Sequence, residues 1–232
     1  MPGYVMHLAV AERIIKLCNI NCDEVANSIR IGSIIPDTKK GDNKKESHFW
    51  TDDNFKEFVR IPSVEDFLKK YSTRLSNPYV FGVYAHLYLD YIFVSEYWKK
   101  HFSFMDNYMR EATLFNEVDM VKMLQEDRVV TRKEFFSSEM YYGDYDRLNS
   151  YIISKYNIKA PELTEQIKQD STIISEVCFA EVEDILRDMI GFVDKSDKDI
   201  SYPQTKVFNL EELEALIEEV SQRLVTVYKA NN

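Results

Sequence analysis

Long stretches of this chain repeat apolar residues at the three-to-four spacing of a helix, and only six glycines and six prolines interrupt 232 residues. A stripe at that spacing has to be buried against another element, so the pattern predicts an all-α fold. Strands have little support. The 45% apolar content is enough to fill a sizeable core, and the expectation is a single multi-helix domain over residues 1–232.

Two helices announce themselves by their first residues. Asn209 can cap the last one, with Glu212 completing a capping box and Leu210, Leu213, Leu216, Ile217, Val220 and Leu224 forming its stripe. Asn77 followed by Pro78 opens another, which runs to about residue 100 and carries His86 and Asp90. Further helices are predicted over 4–17, 23–34, 63–75, 115–124, 146–156 and 173–192. The polar, lysine-rich stretch 36–53 reads as a long loop ending on Ser47, His48, Phe49 and Trp50. Loops of that length are usually functional or disordered, and the aromatic end favours function.

Charge and composition remove several function classes. Thirty-nine acidic against 29 basic residues leave a formal charge of −10, which repels nucleic acid in bulk. No run reaches the roughly 20 uninterrupted apolar residues of a membrane span; the best candidate, 79–94, contains His86 and Asp90. The start of the chain shows neither a basic leader nor a small-residue cleavage site, so a cytoplasmic location is expected. Three cysteines, Cys18, Cys22 and Cys178, then read as free thiols. Cys18 and Cys22 could share one helix side and hold a metal, but no second pair follows, and small buried residues at a helix end is the ordinary alternative.

The chemistry concentrates on the central helix. His86 and Asp90 stand four apart and so share a face, one turn from each other, at a separation suited to chelating one ion. The same spacing also makes an ordinary hydrogen-bonded pair. Its surroundings of Val80, Phe81, Val83, Leu87, Leu89, Ile92 and Phe93 argue against a surface pair, since burying a carboxylate with an imidazole is costly without a compensating partner or metal. Gly82 costs a helix interior roughly 1 kcal/mol relative to alanine, and its bare face lets another backbone or a ligand come close. Of the four histidines, His7, His48 and His86 sit in apolar or aromatic settings. Alone, His7 reads as a core histidine and Asp37, after Pro36, as a turn aspartate.

Taken in order, these pieces match a pattern. His7 on the first helix, then Gly32-Ser33-Ile34-Ile35-Pro36-Asp37, then Ser47-His48-Phe49, then Gly82-Val83-Tyr84-Ala85-His86-Leu87-Tyr88-Leu89-Asp90 resembles the zinc-dependent phospholipase C family, whose fold is shared with the P1-type nucleases. The resemblance covers about residues 4–98. It implies that Asp37, His48, His86 and Asp90 are the four ligands of one zinc, that Asp90 with His7 belongs to a neighbouring ion, and that Asp90 bridges the two. Paired ions roughly 3.5–4 Å apart would clamp the attacking and leaving oxygens of a phosphoryl centre, with Asp37 orienting or deprotonating the water. The chain departs from the secreted members in lacking a second His-x-x-x-Glu pair: the later histidine is His101, with Met105 four residues on, and Glu96 could occupy the place of a missing ligand. One or two ions are therefore expected; manganese, iron or cobalt would also suit the donor set.

Substrate residues are less marked. Phe49, Trp50, Tyr84, Tyr88 and Tyr91 could line a slot for a base or acyl chain, or simply be core. Lys39, Lys40, Lys44 and Lys45 could attract a phosphate, or be a solvated run. The tyrosines at 141, 142, 145, 151 and 156 suggest packing or a partner surface. The resemblance thus implies a zinc-dependent phosphoric ester hydrolase, phospholipase C-like, acting on a small phosphodiester, another phosphate ester or a phospholipid head group. The competing reading is a non-catalytic, metal-stabilised binding or structural protein. A helical phosphohydrolase of the HD type is set aside, because it needs an adjacent His-Asp dipeptide and the chain has none.

Overall fold

The computed structural model describes residues 2–39, 41–177, 179–196 and 201–232, with residues 181 and 182 described by their backbone alone. Helix dominates, in chain order α1 (Tyr4–Leu17), α2 (Asp23–Ile34), α3 (Lys44–Ser47), α4 (Asp52–Lys56), α5 (Val64–Tyr71), α6 (Pro78–Ile92) and α7 (Trp98–His101). A small antiparallel sheet follows, with strands β1 (Phe102–Met105), β2 (Met120–Met123) and β3 (Arg128–Thr131) in that spatial order. The chain then continues through α8 (Arg132–Phe135), α9 (Tyr141–Lys155), α10 (Glu165–Asp170), α11 (Phe179–Lys195) and α12 (Leu210–Asn231). Among the described residues no helix is long and apolar enough to cross a membrane.

The mostly helical architecture is as expected, with α1 and α2 at their expected limits. Asn77 caps α6 with its Oδ1, accepting from the amides of Tyr79 and Val80 at 3.0 and 3.1 Å, and Pro78 takes the first helical position. Beyond Ile92 the path stays helical but loosens through a π turn, Phe93–Tyr97, before α7. Asn209 caps α12, with its Oδ1 accepting from Glu212 N at 3.1 Å. The other half of the capping box is absent. The Glu212 carboxylate serves Lys100 and His101, and Asn209 N donates to the Tyr97 hydroxyl at 3.2 Å.

Residues 115–124 correct the sequence reading, because Met120–Met123 is a strand. Val121 pairs with Phe104 on one side and Val130 on the other, and burial alternates along β2 with a period of two. Four residues are too few to display a helical or strand period in sequence, so only the long-range pairing decides. The stretch 36–53 is likewise not a plain loop: it holds 3-10 turns at Ile35–Thr38 and Gly41–Asn43, then α3.

The buried apolar side chains from Val5 to Leu224 form one continuous cluster. Its tightest joint is the crossing of α2 and α6. A Cβ on Gly82 would collide with the Ile29 carbonyl oxygen, and one on Gly32 with that of Tyr79, so both glycines are required by backbone-to-backbone contact. The partner admitted by Gly82 is therefore the α2 backbone. A bidentate pair, Arg30 on Glu12 at 2.7 and 3.0 Å, joins α1 to α2, and Lys159 N adds a third bond to the same carboxylate.

Candidate metal centre

All five residues singled out in sequence converge on one place. His7 comes from α1, His48 from the residue that ends α3, and His86 with Asp90 from successive turns of α6. Asp37 lies in the 3-10 turn that Pro36 starts after α2. His48, His86 and Asp90 have no exposed surface and His7 has 1%, whereas the Asp37 side chain keeps 11%.

Asp90 divides its oxygens. Its Oδ1 lies 3.4 Å from His7 Nε2, and its Oδ2 lies 3.4 Å from both His48 Nε2 and His86 Nε2. Asp37 Oδ2 stands 3.9 Å from His7 Nε2, and Asp37 Oδ1 stands 3.7 Å from His48 Nε2. The donors form two sets, His7 with His86 and Asp90, and Asp37 with His48 and His86, and within each set the atoms lie within 4.8 Å of one another. His86 is common to both. The resemblance assigned the shared role to Asp90, whose Oδ1 neighbours His7 and whose Oδ2 neighbours His48 and His86.

Hydrogen bonds behind the rings decide which nitrogens face inward. His86 Nδ1 sits 2.8 Å from the Ser33 carbonyl, which only accepts, so that nitrogen carries a proton. The close approach of α2 at Gly82 brings this carbonyl within reach. His48 Nδ1 is 2.9 Å from Ser47 Oγ, whose own proton goes to the Pro36 carbonyl at 3.1 Å; His48 Nδ1 is then also the donor. The two Nε2 atoms therefore turn toward each other, 3.3 Å apart, each presenting a lone pair unless it gains a second proton. Neither oxygen of Asp90 and neither ring nitrogen of His7 has a hydrogen bond of acceptable geometry.

Such an arrangement is costly unless a positive charge sits among the donors. Without an ion, protons and neighbouring charges supply it. Burial and repulsion from His86 push His7 down, and burial pushes His48 down to about 4. His86 goes up: burial opposes this, but the Asp90 charge outweighs it. Both carboxyls titrate far below their usual range despite burial, Asp90 chiefly through His86 and Asp37 chiefly through Lys44. The orphaned atoms and the nitrogen-and-oxygen donor set fit a divalent ion such as zinc, with the ring N–H groups already fixed by Ser33 and Ser47 as in other histidine metal sites. Five donors also exceed the four that close a tetrahedral zinc.

A cleft of about 1200 Å³ reaches this group at Asp37. Phe58, Trp98, Phe115, Phe136, Tyr141 and Tyr145 make most of its aromatic wall, with Lys44, Arg132 and Lys133 as its cations. Lys44 Nζ binds Asp37 Oδ1 at 2.7 Å; its pKa is raised, burial opposing and Asp37 prevailing. Tyr145 donates to the Tyr141 oxygen at 2.9 Å, and burial holds both phenols well above 10, so they remain protonated.

Several other candidates lie away from the donor group. Phe49 packs on Phe67 and Tyr71, Trp50 on His48 and Phe55, and Tyr84 on Phe67, Phe81 and Tyr88, so with the part-exposed Tyr91 they do not form the slot. The cleft wall combines Phe58, Trp98, Phe115 and Phe136 with Tyr141 and Tyr145 of α9, tyrosines that the sequence reading assigned only to packing or a partner surface. Of the lysine run, Lys44 faces the cleft, Lys45 pairs with Asp52, and Lys40 lies outside the described residues. Glu96 is exposed and pairs with Arg223 at 3.6 Å, and His101 pairs with Glu212 at 2.7 Å. Neither belongs to the donor group, and among the described residues no cysteine does. Cys18 is half-buried at the α1 end and Cys22 exposed, so neither is the buried small residue expected; Cys178 lies outside the described residues. Comparison with protein-family models, curated proteins and solved structures gives no match.

Proposed function

We propose that this chain is a metal-dependent phosphoesterase, zinc being the first choice of ion, acting on a phosphodiester or phospholipid-type head group. The observation that carries the reading is that the buried donor group meets an aromatic, cation-edged cleft, and meets it at Asp37. His7, His48, His86, Asp90 and Asp37 would hold one or two ions. A bound ion would supply Lewis acidity, making water a nucleophile near neutral pH and drawing charge from a phosphoryl oxygen. Asp37, the donor with cleft access, is placed to orient a water and take its proton. Arg132, braced by the Phe115 carbonyl at 2.9 Å, offers a cation to an anionic ester. The aromatic wall suits an apolar or aryl substituent. The likeness to the zinc-dependent phospholipases C over about residues 4–98 supports the same reading.

Near-complete burial of four of the five donors favours a second reading, a structural ion that ties α1, α3 and α6 together without turnover. One comparison separates them. Metal content and hydrolysis of phosphodiesters, phosphomonoesters and phospholipids are measured for wild type and His86→Ala. The enzyme reading expects bound ion and turnover in wild type and neither in the variant. Equal metal in both proteins would sink the site; bound ion without hydrolysis of any substrate leaves the structural reading.

A further inference from the structure

Neither reading gives Lys44 a role beyond edging the cleft, yet its ammonium occupies a carboxylate oxygen of the metal centre. It opens α3, and its carbonyl accepts from His48 N at 2.9 Å across the single turn that follows. That turn delivers two groups to one atom: Lys44 Nζ lies 2.7 Å and His48 Nε2 3.7 Å from Asp37 Oδ1. An ion held by His48 and Asp37 Oδ1 would share the oxygen that the ammonium already holds, and two cations at such range repel strongly in a site screened from water. Lys44 and Asp37 both line the cleft, so the flexible lysine side chain has somewhere to go.

Resting on the metal-centre reading, we infer that Lys44 competes with the ion for Asp37 and, once displaced into the cleft, binds the anionic oxygen of the phosphate ester. Two carboxylates against one ammonium leave a single negative charge when the imidazoles are neutral, and a divalent ion reverses it to a single positive one. The loaded centre then attracts an anion, and the ion-free centre does not. Lys44 makes the charge of the cleft mouth depend on whether the ion is present.

The test uses the ion and inorganic phosphate, and needs no turnover. Zinc is titrated into ion-free wild type, Lys44→Gln and Lys44→Arg, and inorganic phosphate into each loaded protein. Lys44→Gln should bind zinc about tenfold more tightly and phosphate about tenfold more weakly, while Lys44→Arg stays near wild type in both. With bis(para-nitrophenyl) phosphate as substrate, Lys44→Gln should raise KM more than it lowers kcat. A merely structural lysine would weaken both ligands or neither. Zinc affinity that is unchanged or reduced in Lys44→Gln, or unchanged phosphate affinity, overturns the assignment to Lys44 and leaves the metal centre standing. Wild type that takes up no zinc overturns both.

Discussion

Among the described residues two aspartates are fully buried, Asp144 and Asp90, and their surroundings differ in kind. Asp144, on α9, accepts from the backbone amides of Lys206, Val207 and Phe208 at 2.7–3.0 Å and from Arg147 Nε and Nη2 at 3.0 and 2.8 Å. Asp90, on α6, has three imidazole nitrogens at 3.4 Å and no hydrogen bond of acceptable geometry. A carboxylate saturated by donors has its charge met by the protein and serves the fold. One ringed by imidazole nitrogens, two of which turn lone pairs inward, has its charge met by a proton or an ion. The first kind tethers a segment, here 206–208, to the helix; the second kind is what the proposed metal centre requires.

The comparison breaks most visibly at Asp144. Asp144→Ala leaves three backbone amides without their acceptor and Arg147 without its pair, and should cost on the order of 3–5 kcal/mol in urea unfolding. The loss should be the same with and without zinc. A variant within about 1 kcal/mol of wild type would show that water replaces the carboxylate and that its tether role is overstated.

Asp90 should behave in the opposite way. At zinc a hundredfold above its Kd, wild type should gain about 2.7 kcal/mol in unfolding free energy, and Asp90→Asn should gain nothing. Without zinc, Asp90→Asn should be less stable than wild type, because the pairing that holds the Asp90 carboxyl down and His86 up is lost. Thermal melts across a zinc titration of both proteins measure this. An equal zinc gain in the two proteins defeats the assignment of Asp90 as ligand.

Gly82→Ala tests whether the crossing of α2 and α6 sets the ligand geometry. The added methyl meets the Ile29 carbonyl, which cannot yield without moving a helix, so a cost of roughly 1–3 kcal/mol is expected. Moving α2 also moves the Ser33 carbonyl from His86 Nδ1, so zinc affinity should fall with stability. Lost stability with unchanged zinc affinity would separate the crossing from the site.

What could be read in advance follows the same division. His86 and Asp90 share one helix, so their spacing fixes their common face, and Gly82 marks the close approach that brings Ser33 up behind His86. The caps at Asn77 and Asn209 are likewise local. Asp144 has one local partner, Arg147, but the backbone amides that saturate it lie more than sixty residues away and leave no mark in the local sequence. The cleft was illegible for the same reason: Phe58, Arg132 and Tyr145 become neighbours only through tertiary packing. The strand at Met120–Met123 is defined by pairing with β1 and β3, and Glu212 could have closed a capping box had Lys100 and His101 not drawn its carboxylate away.

The smallest effect is the pH dependence of ion uptake, and its sign follows from the three histidines. His48 is held down to about 4 and His7 is lowered, so both are neutral donors near neutral pH. His86 is raised above 6.5 by Asp90 against the opposing effect of burial, and is the first donor to take a proton as pH falls. In the ion-free protein that raised value adds stability fully present below 6.5 and lost as pH rises through the folded value. The lowered His7 and His48 act the other way, their contribution falling as pH drops below 6.5. An ion displaces the His86 proton, so zinc affinity should weaken by up to about tenfold per pH unit on acidification below that folded value. The zinc-dependent rise in Tm should accordingly grow from about pH 5 to about pH 8, and it should be absent at every pH in Asp90→Asn. A rise in Tm that is flat across this range in wild type would mean that the ion does not displace a proton from His86, and the carboxylate without donors would then need another source of positive charge.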